Sequence, residues 1–498
     1  AGVSIALDAA QLQGLQTAGL QGSFGTDEGF ERLLRGSGWQ LGRTPVGYVL
    51  VKAPANMPQA QAAGEGVHTL REVRVTAEAE PVAISEGTGD YAARLAQTAT
   101  RLNLSVRETP QAVSVITRQR MEDQGLTQLT DVVAQTPGLV ISQGGNQGSD
   151  SSPIYSRGFG VDTYMIDGVR HIDSNYTDIV QSYDTALFDR VEIVRGATGL
   201  MNGIGTPGGA INLIRKRPTA AFQAVARAEV GSWDFRRLEA DVSTPLNAAG
   251  NVRGRLVVAA QENASYIDRL KEERQVVYGV VEADISPATQ LHAGASLQQF
   301  NATAHARGGL PAYFSDGDRT QWRVSDSAAA DWAYSDRRYT SVFLGLEHRF
   351  QNDWKLKLAL NRNESAYDEV LGYASGGNPD RLTGAGVNLW AGRWAATPRQ
   401  DSLDVYATGQ FDWLGRRHDL TVGALVSRTF FHDNTYANWY HTGWDWSVPN
   451  IYTWDGSSPA APSAAPGSAS AACPYLVGPD FSTYRTSAEL RFSQAGSC

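Results

Sequence analysis

After Pro218 the chain alternates apolar and polar residues with a period of two, stretch after stretch, nearly to its end. Leu238, Ala240 and Val242 oppose Arg237, Glu239, Asp241 and Ser243; Val252, Leu256, Val258 and Ala260 oppose Arg253, Arg255 and Gln261. Further on, Trp354, Leu356, Leu358 and Leu360 oppose Lys355, Lys357 and Asn361. Successive residues of a strand point to opposite faces, so each stretch is a strand with one apolar and one polar face. The stretches run to about ten residues, which suits a tilted strand crossing a bilayer, whereas soluble sandwich strands average about five or six. Short connections such as Leu246–Asn251 and Gln351–Asn352 alternate with long aromatic ones, Asn301–Asp336, Tyr367–Arg399 and Phe431–Ser482. That is the rhythm of periplasmic turns and outer loops. The expected fold class is mainly β, an antiparallel transmembrane barrel of which about ten strands precede Cys498. A wall stopping there would leave an open edge, so a fragment is expected.

Composition narrows the functions. Hydrophobic residues make up 42% and charged ones 19%, too apolar a mixture for a disordered chain. No apolar run is long enough for a spanning helix, so a membrane role must come from strands. The net charge of −9 gives no basic footprint, and nucleic acid is not an expected partner. Cys473 and Cys498 are too few for a disulfide framework and lack zinc-site spacing. His171, His432 and His441 show no metal-ligand spacing, and no Ser/His/Asp or paired-carboxylate arrangement suggests an enzyme. No charged-then-apolar signal peptide opens at Ala1, and a late start is expected.

Between Thr98 and Pro218 the pattern is mixed. A strand is expected at Ala112–Thr117, a helix from Thr117 through Gln124, and a second helix from Thr127 to Ala134, ended by Pro137-Gly138. The densest stretch runs from Arg190 to Pro218: a strand ending at Gly196, a turn with Gly196, Gly199, Gly203, Gly205, Gly208 and Gly209, and a strand at Ala210–Ile214. Glycine permits backbone turns that side chains forbid. A phosphate loop is disfavoured, because no GxxxxGK[ST] spacing is present and no amphipathic helix follows.

This stretch closely resembles the end of the plug domain in TonB-dependent outer-membrane receptors. Three more resemblances occur in order: Thr109-Pro-Gln-Ala-Val-Ser-Val-Ile-Thr117, Leu129-Thr-Asp-Val-Val-Ala-Gln-Thr-Pro-Gly138, and Ser156-Arg-Gly-Phe159 followed by Tyr164-Met-Ile-Asp-Gly-Val169. The resemblance implies a Gram-negative outer-membrane barrel of twenty-two strands in lipid, filled by a mixed α/β plug and opened by TonB. It implies plug latches at Arg157, Arg190, Glu192 and Arg195, facing wall residues such as Arg237, Glu239 or Asp241. Charge satisfaction within the plug is the equal alternative. The domains expected are a signalling domain at 1–53, a linker at 54–97, the plug at 98–218 and a partial barrel at 219–498.

The linker is rich in Ala, Gln, Gly, Glu and Pro, but Glu72, Val73, Arg74, Val75 and Thr76 form a β-prone stretch that resembles a TonB box. Such a tethered, extended segment can add as a strand to a partner's sheet. Phe30-Glu-Arg-Leu-Leu-Arg-Gly-Ser-Gly-Trp39 and Tyr48-Val-Leu-Val51 resemble the small α/β signalling domain of transducing receptors. Its usual first strand and helix are not legible, so it reads as clipped at its start. The resemblance implies contact with the periplasmic domain of an anti-sigma regulator.

By resemblance, plug apices and outer loops bind a ferric siderophore, with the iron carried by the ligand and no cofactor held by the protein itself. Gln143, Asn146, Asp162, Tyr164, His171, Asn175 and Tyr176 are the expected apex contacts, and Trp322, Trp332, Trp390 and Trp394 the expected loop contacts. Tyr and Trp offer area with a polar tip. Ferric citrate, haem or vitamin B12 as cargo, or a secretin-like structural role, are the alternatives.

Overall fold

The computed structural model describes residues 84–93, 95–146, 149, 152–171, 183–198, 207–430 and 444–462. It also gives positions 32 and 34, and strand backbone at 5–6, 39–44, 47–52, 433–434 and 485–495. Contacts divide the chain into two compact units, Ala1–Glu78 and Ala79–Cys498.

The first unit holds β1 (Ile5–Ala6), β2 (Trp39–Thr44) and β3 (Gly47–Lys52) in the order β1-β3-β2. The expected hairpin is present as β2 and β3. A first strand also exists, β1, parallel to β3 through Ile5↔Tyr48 and Ala6↔Val49. Two residues are too few to show a period, which is why this strand is not legible in the sequence.

The plug opens with β4 (Leu95–Ala96) against β5 (Leu104–Ser105), then β6 (Ala112–Thr117). Thr117 caps the helix Arg118–Asp123 by accepting the Arg120 N–H at 3.3 Å. The helix Leu129–Ala134 begins with a capping box between Gln128 and Asp131. A small antiparallel ribbon follows: β7 (Leu139–Ile141), β8 (Ile154–Ser156) and β9 (Phe159–Gly160). β10 (Thr163–Ile166) and β11 (Val169–Arg170) form a hairpin over Asp167 and Gly168, both with positive φ. With β12 (Phe188–Arg195) and β13 (Gly209–Arg215) they complete a sheet of order β11-β10-β13-β12-β6. Gly209 shows why the turn is glycine-rich: φ is +123°, and a Cβ there would lie 2.1 Å from the Val194 carbonyl oxygen.

The wall continues with β14 (Gln223–Val230), β15 (Arg236–Pro245), β16 (Val252–Ala264), β17 (Lys271–Ser286), β18 (Thr289–Thr303) and β19 (Tyr334–Arg349). Then come β20 (Lys355–Gly376), β21 (Val387–Ala396), β22 (Arg399–Trp413), β23 (Arg416–Phe430), β24 (Asp433–Asn434), β25 (Ser447–Val448) and β26 (Arg485–Ala495). Ten of these pair in series and antiparallel, in the order β14-β15-β16-β17-β18-β19-β20-β22-β23-β26. The faces follow the alternation. Leu238 is 65% exposed on the outside, while Arg237 is 3% and Glu239 9% exposed on the plug side. An outer band of this kind suits lipid and would be a liability in water.

Two expectations change. Tyr367–Arg399 is not a simple loop: the upper half of β20 continues to Gly376 and pairs with β21, forming a hairpin beyond the wall. Glu369, Val370, Leu371 and Gly372 are all buried, so both faces pack and no period shows. The plug also starts before position 98, because Ser85, Glu86 and Gln97 already bond to β12.

Plug and wall share one hydrophobic core. Ile116, Leu129, Val133, Phe188, Val191, Ile193, Ile211 and Leu213 of the plug pack with Val257, Val276, Tyr278, Val280, Tyr339 and Phe343 of the wall. The wall therefore lines its inner face with apolar side chains where the plug sheet presses on it.

Candidate functional site

The interface of plug and wall is fastened by buried charge. Where β13 runs out, Arg215, Lys216 and Arg217 reach five neighbouring strands. Lys216 Nζ lies 2.8 Å from Asp241 of β15, and the Lys216 carbonyl accepts the Tyr278 hydroxyl of β17 at 2.7 Å. Arg255 of β16 donates to the Arg217 carbonyl at 2.9 Å. Arg217 pairs with Glu282 at 2.5 Å and donates to Gln290 of β18 at 2.7 Å. Arg215 donates to Ser341 of β19 at 3.0 Å and lies 4.0 Å above the Phe343 ring. This triplet is the root by which the plug joins the barrel.

A second fastening sits just ahead of β12. Asp184 receives Arg237 of β15 in a bidentate pair of 2.6 and 2.9 Å, and its own N–H donates to Gln298 of β18 at 2.9 Å. Both side chains are 2% exposed. Burial alone would raise the Asp184 carboxyl, but the Arg237 charge and hydrogen bonds, with the Ala186 N–H, hold it below the usual carboxylate range.

The third fastening holds the start of the plug. Ser85 and Glu86 donate backbone N–H groups to the Asp189 carboxylate, and Arg255 clamps both oxygens of Glu86 at 2.5 Å. Arg101 pairs with Asp404 of β22 at 3.1 Å, and Glu122 with Arg227 of β14 at 2.7 Å.

The four expected latch residues lie elsewhere. Glu192, fully buried, accepts the Thr98 hydroxyl at 2.6 Å, the Gln97 and Thr98 N–H groups at 3.0 and 2.9 Å, and Arg190 Nε at 2.8 Å. Arg190 also pairs with Asp189 at 2.8 Å. Arg195 donates to the Pro137 carbonyl at 2.6 Å, and the exposed Arg157 stands beside Gly196. Each of these contacts is internal to the plug. Of the expected wall residues, Arg237 and Asp241 do receive plug partners, but these are Asp184 and Lys216. Glu239 pairs within the wall, with Arg227 at 3.1 Å and Arg237 at 3.2 Å.

The expected ligand face is also rearranged. Gln143 is exposed and donates to the Gly145 carbonyl at 2.9 Å. Asp162 is half-buried and accepts the Thr163 hydroxyl at 3.1 Å. Tyr164 is in the plug core. His171 is buried, with Nε2 3.4 Å from the Tyr183 hydroxyl and its ring 5.3 Å from Tyr339 of the wall. Asn146 is buried against an outer loop. Asn175 and Tyr176 lie outside the described residues, as do Glu72, Val73, Arg74, Val75 and Thr76.

The loop tryptophans pack on one another's loops. Trp322 and Trp332 lie against a cluster of Ala330, Ala374, Val387, Leu389, Val448 and Ile451. Trp322 Nε1 donates to the Pro311 carbonyl at 2.7 Å and Trp332 Nε1 to that of Pro459 at 3.0 Å. Trp390 lies 5.1 Å from the Tyr373 ring; the Trp394 side chain is outside the described residues. The outer loops thus carry a core of their own. Among the described residues no group of three His, Cys, Asp or Glu is placed to hold a metal ion.

A mixed α/β plug is thus seated against an antiparallel wall of ten serially paired strands, with an apolar outer face and a charged seam. Residues 105–210 match the TonB-dependent receptor plug domain. It is 41% identical, over 90% of its length, to a ferric-pyoverdine BN7/BN8 receptor of Pseudomonas putida, of which it covers 54%. It is 37% identical, over 75% of its length, to the ferripyoverdine receptor of Pseudomonas aeruginosa, of which it covers 45%. The crystal structure of the ferripyoverdine receptor of the Pseudomonas aeruginosa outer membrane, bound to ferripyoverdine, superposes with a TM-score of 0.73 at 31% identity. That match covers 93% of this chain and 57% of the other. The chain spans about half the length of the curated relatives it matches.

Proposed function

We propose that the protein imports a ferric siderophore of the pyoverdine class across the outer membrane, with energy delivered by TonB. The observation that carries this reading is the plug itself, joined to the wall through a shared apolar core and the buried pairs at Asp184, Lys216 and Glu86. Such a seat blocks passive flow and requires work to open. The relatives supply the cargo class, since several are receptors for ferric pyoverdines. The segment Glu72–Thr76 is the proposed TonB box, placed shortly before Ser85 and Glu86. A pull there would arrive first at Asp189 and Arg255.

The N-terminal unit is proposed to signal ligand binding to an anti-sigma regulator in the periplasm. One experiment tests both readings. Cells whose other iron receptors are deleted are expected to take up radiolabelled iron from ferric pyoverdine. Removing residues 1–52 is expected to leave that uptake intact and to abolish ligand-induced transcription. Uptake only from haem or ferric citrate would overturn the cargo. Loss of uptake on deletion would overturn the division of labour.

A further inference from the structure

The plug apex meets the loop after β18 at Asn146. The Asn146 backbone N–H donates to the Ala306 carbonyl at 2.9 Å, and Asn146 Oδ1 accepts the Ala306 N–H at 2.6 Å. One plug residue therefore takes both backbone groups of one loop residue, as a neighbouring strand would. Asn146 is 7% and Ala306 3% exposed, so water does not compete for these bonds. The approach depends on Gly145, which has φ +89°. A Cβ there would lie 2.3 Å from the Ala306 carbonyl oxygen and 2.6 Å from Arg307 Cα.

Ala306 is itself held from the wall. Arg307 comes within 3.7 Å of Glu369 Oε2 on the upper half of β20. Glu369 Oε1 is gripped by Arg337 and Ser335 of β19, each at 2.5 Å. Glu369 lies opposite Trp394 in the β20–β21 register. A continuous polar path thus joins the plug apex to two wall strands and, through β20, to the projecting hairpin.

We propose that Asn146 is a positioning residue: its clasp on Ala306 fixes the apex loop against the outer loops at the height where a ferric siderophore is met. The clasp supplies pre-organisation, which raises affinity by lowering the ordering cost of binding. It rests on the import reading, but its own test has a part that needs no ligand.

The experiment compares Asn146→Ala, which removes Oδ1, Asn146→Asp, which keeps an acceptor, and Gly145→Ala, which wedges the loops apart. In the receptor without ligand, amide exchange at 304–307 is expected to quicken in Asn146→Ala and Gly145→Ala and to return to the wild-type rate in Asn146→Asp. With ferric pyoverdine, the first two variants are expected to raise the dissociation constant and the KM of energised uptake by about five- to tenfold, the scale of one lost hydrogen bond. The maximal rate is expected to stay unchanged, and Asn146→Asp to restore affinity. Exchange that is the same in all variants would overturn the clasp. Affinity lost equally in Asn146→Asp and Asn146→Ala would make the amide a direct ligand contact and overturn the positioning role. If the wild type binds no ferric siderophore, the import reading fails, and the exchange result still decides the clasp.

Discussion

Replacing Asp184 by alanine is expected to loosen the plug from the wall by about 3 kcal/mol, the lower end for breaking a buried ion pair from one side. Arg237 stays buried and loses its bidentate partner, keeping only Glu239 at 3.2 Å and Gln261 at 3.1 Å. The Gln298 acceptor is unaffected, because it takes the backbone N–H of Asp184. The change is read as denaturant-induced release of the plug, or as cell permeability to a bulky antibiotic that the closed receptor excludes. A variant that seats its plug as tightly as the wild type would contradict the assignment. The pH dependence has a definite sign. The Asp184 carboxyl is held below its ordinary value by Arg237, against the opposing effect of burial. Its contribution is therefore complete above about pH 3.9 and is lost only as pH falls through the depressed value. The Asp184–Arg237 contribution to plug seating should not change between neutral pH and pH 5.

Replacing Glu192 by alanine is expected to cost about 4 kcal/mol, for a different reason. Its carboxylate ties the strap at Gln97 and Thr98 to the middle of the plug sheet, and Asn212 Nδ2 completes the knot on the Thr98 hydroxyl at 2.8 Å. Without it, two backbone N–H groups and one hydroxyl lose their acceptor. Arg190 keeps Asp189. Residues 95–100 should become sensitive to protease while β12 and β13 stay protected, and Glu192→Gln, which retains an acceptor oxygen, should fall between. Under TonB load the strap should part from the sheet instead of drawing it along, so uptake drops although ligand binding persists. Unchanged protection at 95–100 would remove Glu192 from the force path.

The wall was legible wherever one side of a strand faces lipid and the other a polar lumen. In β15, Leu238 and Val242 point out and Arg237, Glu239 and Asp241 point in, so the period of two declares itself. It fails in the middle of β17, where Val277 and Val281 face outward and Val276, Tyr278 and Val280 press on the plug. Apolar residues on both faces erase the pattern. The plug's strands and helices were legible because Pro, Gly and capping residues punctuate them.

The latches were less legible. Alternation along β12 says which residues share a face but not what covers that face, so Arg190, Glu192 and Arg195 could not be told from residues that reach the wall. Asp184 gives no local signal, being one acidic residue ahead of a strand. Lys216 stood in the basic end of the glycine-rich stretch, where only the fold shows that it meets Asp241. The direction of the aromatic side chains was illegible for a related reason. Tyr and Trp announce area without direction: Tyr164 turns its ring into the plug core, while the half-buried Trp322 and Trp332 pack against a cluster of the loops.

A plug proposed to open only under load should make transport dependent on TonB. Radiolabelled iron supplied as ferric pyoverdine is to be measured entering cells that carry the receptor, with TonB present, with TonB deleted, and with the proton gradient collapsed. The expected result is uptake in the first condition alone, with surface binding of the complex retained in all three. Uptake that continues without TonB would contradict a gate held shut by Asp184, Lys216 and Glu86.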